Sequence, residues 1–389
     1  MPYITIKRPP GYIQMSFDDM LDGVDDLSKY IVSSSSATIT RYYKRVNPIL
    51  REHTDIDGMI AVLAAFNEKH KELFAVERST LYRSFKIPKR SGGRRQINAP
   101  EDALMNALRE LKVLFEHNIF ALYHTTAFAY MPGRCTIDAV KRHQKNESRW
   151  FLKLDFSNFF GSTTPEFIMK MLGTIYPFSE ICSREDGKKE LAQALSLCFL
   201  DGGLPQGTPI SPMLTNLMMI PIDHKISNSL RDEFRNRFVY TRYADDIHIS
   251  CKYSFMWKPI QTYIEKVLEE FGAPFSLNKE KTHYGSSAGE NWILGVKLNK
   301  DNNISLGWRE KKNFKAMLQN YVENRRDKKE WPLEEIQHLS GLISYYRMVE
   351  REYIDYLIAH YSKKFRADIA KLIHDDLSIK TKEPAQEIA

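Results

Sequence analysis

The chain has 389 residues, of which 43% are hydrophobic and 27% are charged. This composition is typical of a folded globular protein, excludes global disorder, and leaves room for roughly two or three domains. The 56 Lys and Arg residues outnumber the 49 Asp and Glu residues. A basic balance is compatible with a polyanionic partner but does not by itself indicate one.

Cysteine usage and hydropathy indicate the compartment. The four cysteines form no CxxC pair, which favours a reducing environment over a disulfide framework and offers no zinc site. The first residues lack the apolar run of a signal peptide, and no stretch approaches the ~18 apolar residues of a membrane span. We therefore expect a cytoplasmic protein with no membrane partner.

The N-terminal part of the chain changes character twice. Residues 1–45 contain a Pro-Pro-Gly turn signal, an acidic patch and four consecutive serines, which predicts a loosely structured arm or cap. From Tyr42 to Phe85 the spacing of the apolar residues predicts helix. The residues that carry this spacing are Met59, Ile60, Leu63, Phe66 and Leu73.

A basic hairpin is predicted next. The pattern from Ile87 to Ile97 favours a strand, a Gly-Gly turn and a returning strand. It ends a segment, Arg78 to Arg95, with seven Lys and Arg and no Asp or Glu, which is either a solvated surface or a strip that faces phosphates. Glu101 to Tyr123 then predicts a long amphipathic helix. Its apolar face consists of Leu104, Leu108, Leu111, Leu114 and Phe115.

The remaining elements predict a mixed α+β body and a helical end. Trp150–Phe156 and Phe238–Ser250 are rich in β-forming residues, and Trp292–Leu298 is a third apolar stretch. From Trp308 to Ile373 we expect three helical segments, broken near Trp331-Pro332 and near Val349. The order of these elements predicts a body of sheet and helices followed by a small helical subdomain.

Three acidic residues lie at the ends of strand-like runs. Asp155 is the last residue but one of the run Phe151–Phe156. Asp245 and Asp246 lie between two β-rich arms. Adjacent carboxylates repel each other and lose solvation when they are partly buried. One interpretation of the Asp245-Asp246 pair is a solvated β-turn, and the more specific one is a divalent-cation site. Mg²⁺ prefers hard oxygen ligands, and two such ions can activate a hydroxyl and stabilise a leaving pyrophosphate.

The order of the motifs resembles the order found in the bacterial reverse transcriptases. Tyr243-Ala244-Asp245-Asp246, with Asp155 upstream, resembles motifs C and A of their palm, and Leu204–Leu217 between them resembles motif B. The resemblance covers about residues 80–370. Further similar segments are Ile87–Pro100 (fingers), His124–His143 (the next block), Leu277–Thr282 (motif D), Leu294–Val296 (primer-grip motif E) and Leu339–Tyr346 (the thumb of retron enzymes).

This resemblance implies an α+β right-hand polymerase fold with fingers, a palm built on an antiparallel sheet, and a helical thumb. The expected division is an arm or cap at 1–45, fingers with part of the palm at 46–145, palm at 146–300 with a fingers insertion at about 162–203, helical thumb at 301–375 and a tail at 376–389.

The resemblance also implies a role for each motif residue at the catalytic centre. Asp155, Asp245 and Asp246 would hold two Mg²⁺ ions, with Mn²⁺ as a substitute, and Lys281 would be the general acid for pyrophosphate release. The incoming dNTP would be held by Lys89 and Arg95 at its triphosphate, by backbone amides near Asn158 and Phe159, by Phe160 as a steric gate against the 2′-hydroxyl, and by Gln206 from motif B.

The nucleic-acid partners implied are an RNA template and a DNA product, while the oligomeric state stays open. The template would be a dedicated non-coding RNA. The residues expected to contact nucleic acid are Arg78, Arg83, Lys86, Tyr243, Gly295, Arg309, Lys311, Lys312 and Lys315.

Departures from the family pattern leave the subtype open. Ile293-Leu294-Gly295 stands where retron enzymes carry Val-Thr-Gly, and an Asn-Ala-x-x-His element is missing. These departures argue against a standard retron enzyme. They leave a compact retron-like enzyme, or a related bacterial enzyme linked to phage defence. Gln206 argues against a diversity-generating enzyme. The residues also leave open an RNA-dependent RNA polymerase, a non-templated or protein-primed DNA polymerase, and a catalytically silent palm that only binds RNA.

Overall fold

The structure, a computed structural model, describes residues 55–88, 92–117, 123–131, 133–232, 238–287, 292–327, 329 and 331–380. The expected N-terminal arm, Lys89 and the residues beyond 380 lie outside this range. The helices are α1 (Ile56–Lys69), α2 (Lys71–Phe74), α3 (Asp102–His117), α4 (Thr136–Lys145), α5 (Phe159–Ser162), α6 (Pro165–Leu172), α7 (Phe178–Cys182), α8 (Glu185–Ser196), α9 (Ser211–Met218), α10 (Ile220–Asp232), α11 (Trp257–Phe271), α12 (Gly307–Arg326), α13 (Leu333–Phe365) and α14 (Ile369–Lys380).

Within the described residues, the strands form three sheets. They are β1 (Tyr82–Pro88), β2 (Arg94–Pro100), β3 (Trp150–Asp155), β4 (Phe238–Tyr243), β5 (Asp246–Cys251), β6 (His283–Ser286), β7 (Trp292–Ile293), β8 (Val296–Leu298) and β9 (Ile304–Ser305). β1 and β2 pair alone, the central sheet has the order β4-β5-β3-β6, and the third has the order β7-β8-β9.

The described residues fall into two compact units. The first consists of the residues up to Arg134 together with Leu152–Ile249 and Phe255–Tyr284. The second consists of Cys135–Phe151, Ser250–Ser254 and the residues from Gly285 onward. The finer division into fingers, palm, thumb and tail stays a prediction.

The core of the first unit forms where the apolar periodicity predicts it. The five apolar residues expected on one face of α3 are all buried: Leu104, Leu108, Leu111, Leu114 and Phe115. Burial of a large apolar side chain stabilises the fold by roughly 1.5–3 kcal/mol. The long amphipathic helix predicted here is confirmed, and it ends at His117 within the described residues.

The helix predicted from Tyr42 to Phe85 is wrong at its C-terminal end. Helical structure of the α type stops at Phe74, and Phe85 lies in β1. β1 pairs antiparallel with β2 over its full length, from Tyr82 opposite Pro100 to Pro88 opposite Arg94. The predicted β-hairpin is thereby confirmed, and its backbone hydrogen bonds outweigh a weak helical spacing.

The second unit holds the helical end of the chain. The predicted breaks near Trp331-Pro332 and Val349 are confirmed, because α13 begins at Leu333 and has non-helical angles at Glu350 (φ −141°, ψ 71°). The Glu350 carboxylate accepts hydrogen bonds from the Leu306 amide (2.8 Å) and from Lys311 Nζ (2.7 Å), so the break in one helix caps the start of another. Three segments were expected, but α13 ends at Phe365 and α14 follows as a further helix.

Among the described residues, no helix is long and apolar enough to cross a membrane.

Candidate active site

The turn between β4 and β5 presents two carboxylates. Only Ala244 and Asp245 separate the strands, so β4 and β5 run antiparallel, and Ala244 adopts a left-handed φ of 58°. The Phe156 amide donates to the Asp245 carbonyl at 3.2 Å, which brings the end of β3 to this turn. The backbone that follows Asp155 thus lies next to Asp245, while the metal-binding roles of Asp155, Asp245 and Asp246 stay predictions.

Asp155 is buried and held by two partners. It is 6% exposed, and its carbonyl accepts from the Asn278 amide at 2.7 Å. Its side-chain Oδ2 lies 2.9 Å from Nζ of Lys281, whose side chain is 62% exposed. The hydrogen bond to Asp155 raises the pKa of Lys281, which keeps the amine protonated near neutral pH.

Asp246 has a cationic neighbour that the sequence analysis missed. Nζ of Lys153 lies 3.3 Å from Asp246 Oδ1. Lys153 precedes Asp155 by two residues in β3, so both side chains emerge on the same face of the sheet. This period-two relationship was the available signal.

The electrostatics of the three carboxylates favour a bound cation. Partial burial raises the pKa of Asp245, and the negative charges of Asp246 and Asp155 raise it further. Within the described parts of the chain, no three acidic, His or Cys side chains converge closely enough to hold an ion as they stand. Lysine ammonium groups instead contact Asp155 and Asp246. Hard carboxylate oxygens that already attract positive charge fit a divalent cation.

The loop after β3 combines a strained residue with a packed ring. Asn158 adopts left-handed angles (φ 46°, ψ 40°) immediately before α5. The Phe159 ring stacks on Phe156 with centroids 5.1 Å apart and meets Phe275 edge-on at 4.8 Å. The side chain of Phe159 therefore belongs to the core, and only its backbone is available for the predicted phosphate contact.

Phe160 lies at the edge of this core. It is 9% exposed and meets the Phe159 ring edge-on. Its carbonyl accepts from the Leu204 amide at 3.0 Å, which joins α5 to the loop before α9. A Cβ at Gly203 would overlap the Gly161 carbonyl, so the close approach of these two segments requires glycine.

The basic hairpin is joined to the loop that carries Gln206. The Asn98 amide donates to the Gln206 carbonyl at 2.8 Å. Gly207 has φ +121°, and a Cβ there would lie 2.9 Å from the Asn98 carbonyl and 3.0 Å from Cγ2 of Ile97. A side chain at position 207 would force the two segments apart.

The register of the hairpin sorts its basic residues onto two faces. Phe85 is opposite Ile97 and Ile87 is opposite Arg95, so Arg95 shares the face of Ile97, which contacts Gly207. Arg83 alternates onto the same face, whereas Lys86 lies on the opposite one.

Arg78 differs from these exposed residues. It is half-buried, and burial lowers the pKa of its guanidinium. Its Nη1 is buried with no hydrogen-bond partner among the described residues. This placement does not favour contact with a polynucleotide.

The comparison with known protein families decides the class of the protein. Residues 87–315 match the family model of the reverse transcriptases, the RNA-dependent DNA polymerases. The chain belongs to the reverse transcriptase family.

Similar proteins extend this match. The retron Ec83 reverse transcriptase of Escherichia coli is 29% identical over 303 residues, which cover 75% of this chain and 91% of that protein. The retron Ec73 reverse transcriptase of the same organism is 28% identical, over 57% of this chain and 69% of that protein. Apo telomerase from Candida tropicalis aligns with a TM-score of 0.43 at 13% identity, over 76% of this chain and 61% of the telomerase chain.

The family match confirms the predicted enzyme class, an RNA-directed DNA polymerase of the retron-like type with an α+β right-hand fold. As a reverse transcriptase, the protein uses divalent metal ions and binds an RNA template. The roles assigned to individual site residues stay predictions.

A tyrosine that the sequence analysis did not single out lies close to the turn between β4 and β5. Tyr130 is 53% exposed and adopts a left-handed φ of 60°. Partial burial raises the pKa of Tyr130, the negative charge of Asp245 raises it further, and Arg95 lowers it. Tyr130 therefore lies within electrostatic reach of a predicted metal ligand and a predicted triphosphate ligand. Nothing in its local sequence predicts this position.

The predicted primer-grip segment is a tight hairpin. β7 and β8 pair antiparallel with Ile293 opposite Val296, and the two turn residues Leu294 and Gly295 have φ of 53° and 79°. Such a two-residue turn requires positive φ at both positions. A Cβ at Gly295 would lie 4.0 Å from the Tyr345 hydroxyl.

The predicted basic residues of α12 are not equivalent. Arg309, Lys312 and Lys315 are exposed, and Nζ of Lys312 lies 5.1 Å from the centre of the Trp308 ring, itself 75% exposed. Lys311 is engaged by Glu350 and lies 4.5 Å from the centre of the Tyr353 ring. The exposed members of the set are therefore better placed to meet a phosphate backbone.

Proposed function

We propose that this reverse transcriptase copies a dedicated, structured non-coding RNA into DNA from dNTPs by two-metal phosphoryl transfer. The observation that carries the proposal is the meeting of the β3 end with the β4–β5 turn, where Asp155 and Asp246 each have a lysine ammonium at one oxygen. The curated relatives that are named as retron reverse transcriptases support the choice of template.

Asp155, Asp245 and Asp246 would hold the metal ions, two Mg²⁺ or, in their place, Mn²⁺. When bound, such ions stabilise the attacking 3′-hydroxyl and the leaving pyrophosphate. Lys281 is protonated and 62% exposed, so it is suited to donate its proton to the pyrophosphate while its hydrogen bond to Asp155 keeps it near the reacting atoms. Lys153 keeps Asp246 partly neutralised, so we expect Asp246 to be the weakest of the three ligands.

The incoming nucleotide would be held between the hairpin and the Gln206 loop. Arg95 lies on the hairpin face whose Ile97 contacts Gly207, so its guanidinium is on the side of that loop. Its planar fork suits a triphosphate. Gln206, the backbone at Asn158 and Phe159, and the Phe160 ring complete the set, together with Lys89, which lies outside the described residues.

The template and product would follow the exposed basic residues. Arg83 shares the face of Arg95, whereas Lys86 faces away and Arg78 is half-buried. In α12, the exposed residues Arg309, Lys312 and Lys315 would contact phosphates, while Lys311 is engaged by Glu350. Tyr243 and the turn at Gly295 are assigned to the primer side.

Primer extension on an RNA template tests the proposal. The unaltered protein should incorporate dNTPs in Mg²⁺, and the double variant Asp245→Ala/Asp246→Ala should be inactive although it keeps the unaltered circular dichroism spectrum. Persistent incorporation by the double variant would refute the site. DNA that forms without added RNA, or that stays attached to the protein, would indicate non-templated or protein-primed synthesis instead.

Sequencing of the co-purified nucleic acid tests the template. A single structured RNA linked to complementary DNA is the expected result, whereas a random sample of cellular RNA would contradict a dedicated template. A role in phage defence belongs to the same proposal and is inferred by analogy with retron-like enzymes. It predicts that the Asp245→Ala/Asp246→Ala variant loses any reduction in plaque number that the unaltered protein confers.

A further inference from the structure

A cluster of buried polar side chains lies behind the catalytic turn. Arg242 in β4, Asp223 in α10 and Asn216 in α9 are at most 1% exposed, and Tyr240 in β4 is 5% exposed. None of them contacts solvent enough to act as an ordinary surface charge. Buried groups of this kind are retained where their hydrogen bonds are satisfied.

The Arg242–Asp223 pair is the centre of the cluster. Nε of Arg242 donates to Asp223 Oδ1 at 3.0 Å and Nη2 donates to Oδ2 at 2.8 Å, a bidentate arrangement. The Tyr240 hydroxyl donates to the same Asp223 Oδ1 at 2.6 Å. The charge of the buried guanidinium is therefore neutralised mainly by Asp223.

The remaining donor of Arg242 links the pair to the catalytic turn. Nη1 donates to the Ala244 carbonyl at 3.1 Å and to Asn216 Oδ1 at 3.2 Å. Asn216 in turn donates from Nδ2 to the Ala129 carbonyl at 2.8 Å. One guanidinium thus joins the peptide before Asp245 to α9, and through Asn216 to the segment that carries Tyr130.

Stability alone is a poor explanation for this arrangement. A buried ion pair is often no more stabilising than apolar residues of the same volume, because desolvation offsets the attraction. Ala244, in contrast, needs a specific restraint, since a left-handed backbone at a non-glycine residue costs roughly 1 kcal/mol or more and persists only where its surroundings determine it. The hydrogen bond from Nη1 is such a restraint.

We propose that Arg242 is a positioning residue, which fixes the Ala244 peptide and so holds the Asp245 and Asp246 carboxylates in the arrangement that binds divalent cations. Asn216 orients the guanidinium and ties the helix after the Gln206 loop to the same turn. The inference rests on the proposed metal role of the two carboxylates and extends it to residues that contact neither nucleotide nor metal.

Two variants separate this role from folding. Arg242→Lys keeps a cation beside Asp223. It lacks the planar guanidinium, whose Nη1 donates to both Ala244 and Asn216. Asn216→Ala removes one acceptor of Arg242 and the donor to the Ala129 carbonyl, and it retains both members of the ion pair. The control is Arg325→Lys, because Arg325 Nη2 lies 2.9 Å from Asp376 Oδ1 and Tyr321 donates to the same carboxylate, so it repeats the Tyr–Asp–Arg arrangement in the second unit.

The measurement is Mn²⁺ binding to the protein alone, which is monitored through the electron paramagnetic resonance signal of free Mn²⁺. Thermal unfolding is recorded for each variant. Loss of a residue that orients a metal ligand weakens metal binding by about 10- to 100-fold, so we expect at least a tenfold loss for Arg242→Lys, a smaller loss for Asn216→Ala and none for Arg325→Lys. Primer extension should require correspondingly more Mg²⁺ and recover partly when Mg²⁺ is raised.

Unaltered Mn²⁺ affinity in Arg242→Lys, or a loss no larger than that of Arg325→Lys, would overturn the proposal. If Arg242→Lys does not fold, Asn216→Ala decides it: weaker binding supports the role and unchanged binding refutes it. Failure of the unaltered protein to bind Mn²⁺ would overturn the metal site itself, whereas normal binding in the unaltered protein and in both variants would overturn only the role of Arg242.

Discussion

Lys153 and Asp246 form an ion pair, with Nζ 3.3 Å from Oδ1, at the proposed metal site of this reverse transcriptase. Both side chains are partly exposed, at 38% and 28%. The lysine therefore competes for the carboxylate that is proposed to bind a divalent cation. The pairing of a proposed metal ligand with a neighbouring cation can be tested directly by substitution.

Lys153→Met should lower the Mg²⁺ concentration for half-maximal primer extension. Removal of the competing charge leaves Asp246 more negative, and a partly exposed pair is worth roughly 0.2–1 kcal/mol, so the shift should be about fivefold or less. Lys252→Met is the control, because Lys252 makes a comparable exposed pair with Glu147. A rise in the Mg²⁺ requirement would show that Lys153 supports metal binding.

Asp245→Asn should stabilise the metal-free protein at neutral pH while it abolishes extension. The pKa of Asp245 is raised in the folded state by burial and by Asp246 and Asp155, so folding favours the protonated form. Ionisation of Asp245 therefore costs the folded state no stability at a pH below the pKa of this carboxyl in the unfolded chain. The cost develops as the pH rises through the higher pKa of the folded state. Thermal unfolding in EDTA from pH 3 to 8 checks this, with equal pH profiles for both proteins as the contrary result.

Phe160→Val should relax the preference for dNTP over rNTP. The smaller side chain would leave space for a 2′-hydroxyl, and its removal of buried volume should also cost on the order of 1–3 kcal/mol of unfolding free energy. Phe167→Val is the control, since Phe167 is buried in the same core, where its ring meets Phe275. Equal sugar selectivity in both variants, measured by single-nucleotide incorporation, would assign Phe160 to core packing alone.

Arg83→Ala should weaken RNA binding, whereas Lys86→Ala should not. The two residues lie on opposite faces of β1, and Arg83 shares the face of Arg95 and Ile97. Loss of one phosphate contact should lower the slope of log affinity against log salt by about 1. Filter binding across a salt series, without dNTPs, provides the slopes. A loss confined to Lys86→Ala would place the RNA on the opposite face of the hairpin.

Glu350→Ala should destabilise the second unit rather than weaken RNA binding. Its carboxylate satisfies the Leu306 amide and Lys311 at the start of α12, and loss of a charged hydrogen-bond partner costs about 1.5–3 kcal/mol. Lys312→Ala should weaken RNA binding and leave the stability of the second unit unchanged, because Lys312 is exposed beside Trp308. Chemical unfolding and filter binding of both variants test the distinction; RNA binding lost only in Glu350→Ala would contradict it.

The sequence was sufficient where a signal is local. Asp155, Asp245 and Asp246 stand at the ends of β-rich runs, and the apolar face of α3 repeats with helical spacing. Partners that are distant in the chain were missed: Arg242 is an ordinary strand residue until the fold brings Asp223 and Asn216 to it. Likewise, Phe85 fits a helical spacing, and only its pairing with Ile97 makes it part of a strand.

The contact at Gly207 has a mechanical consequence. The Asn98 amide is bonded to the Gln206 carbonyl, and no side chain fits between the two segments. This contact couples the hairpin that carries Arg95 to the loop that carries Gln206, so we expect a displacement of one segment to displace the other. If Arg95 binds phosphates and Gln206 binds the nucleoside, as proposed, the two contacts are linked by the lack of a side chain at position 207.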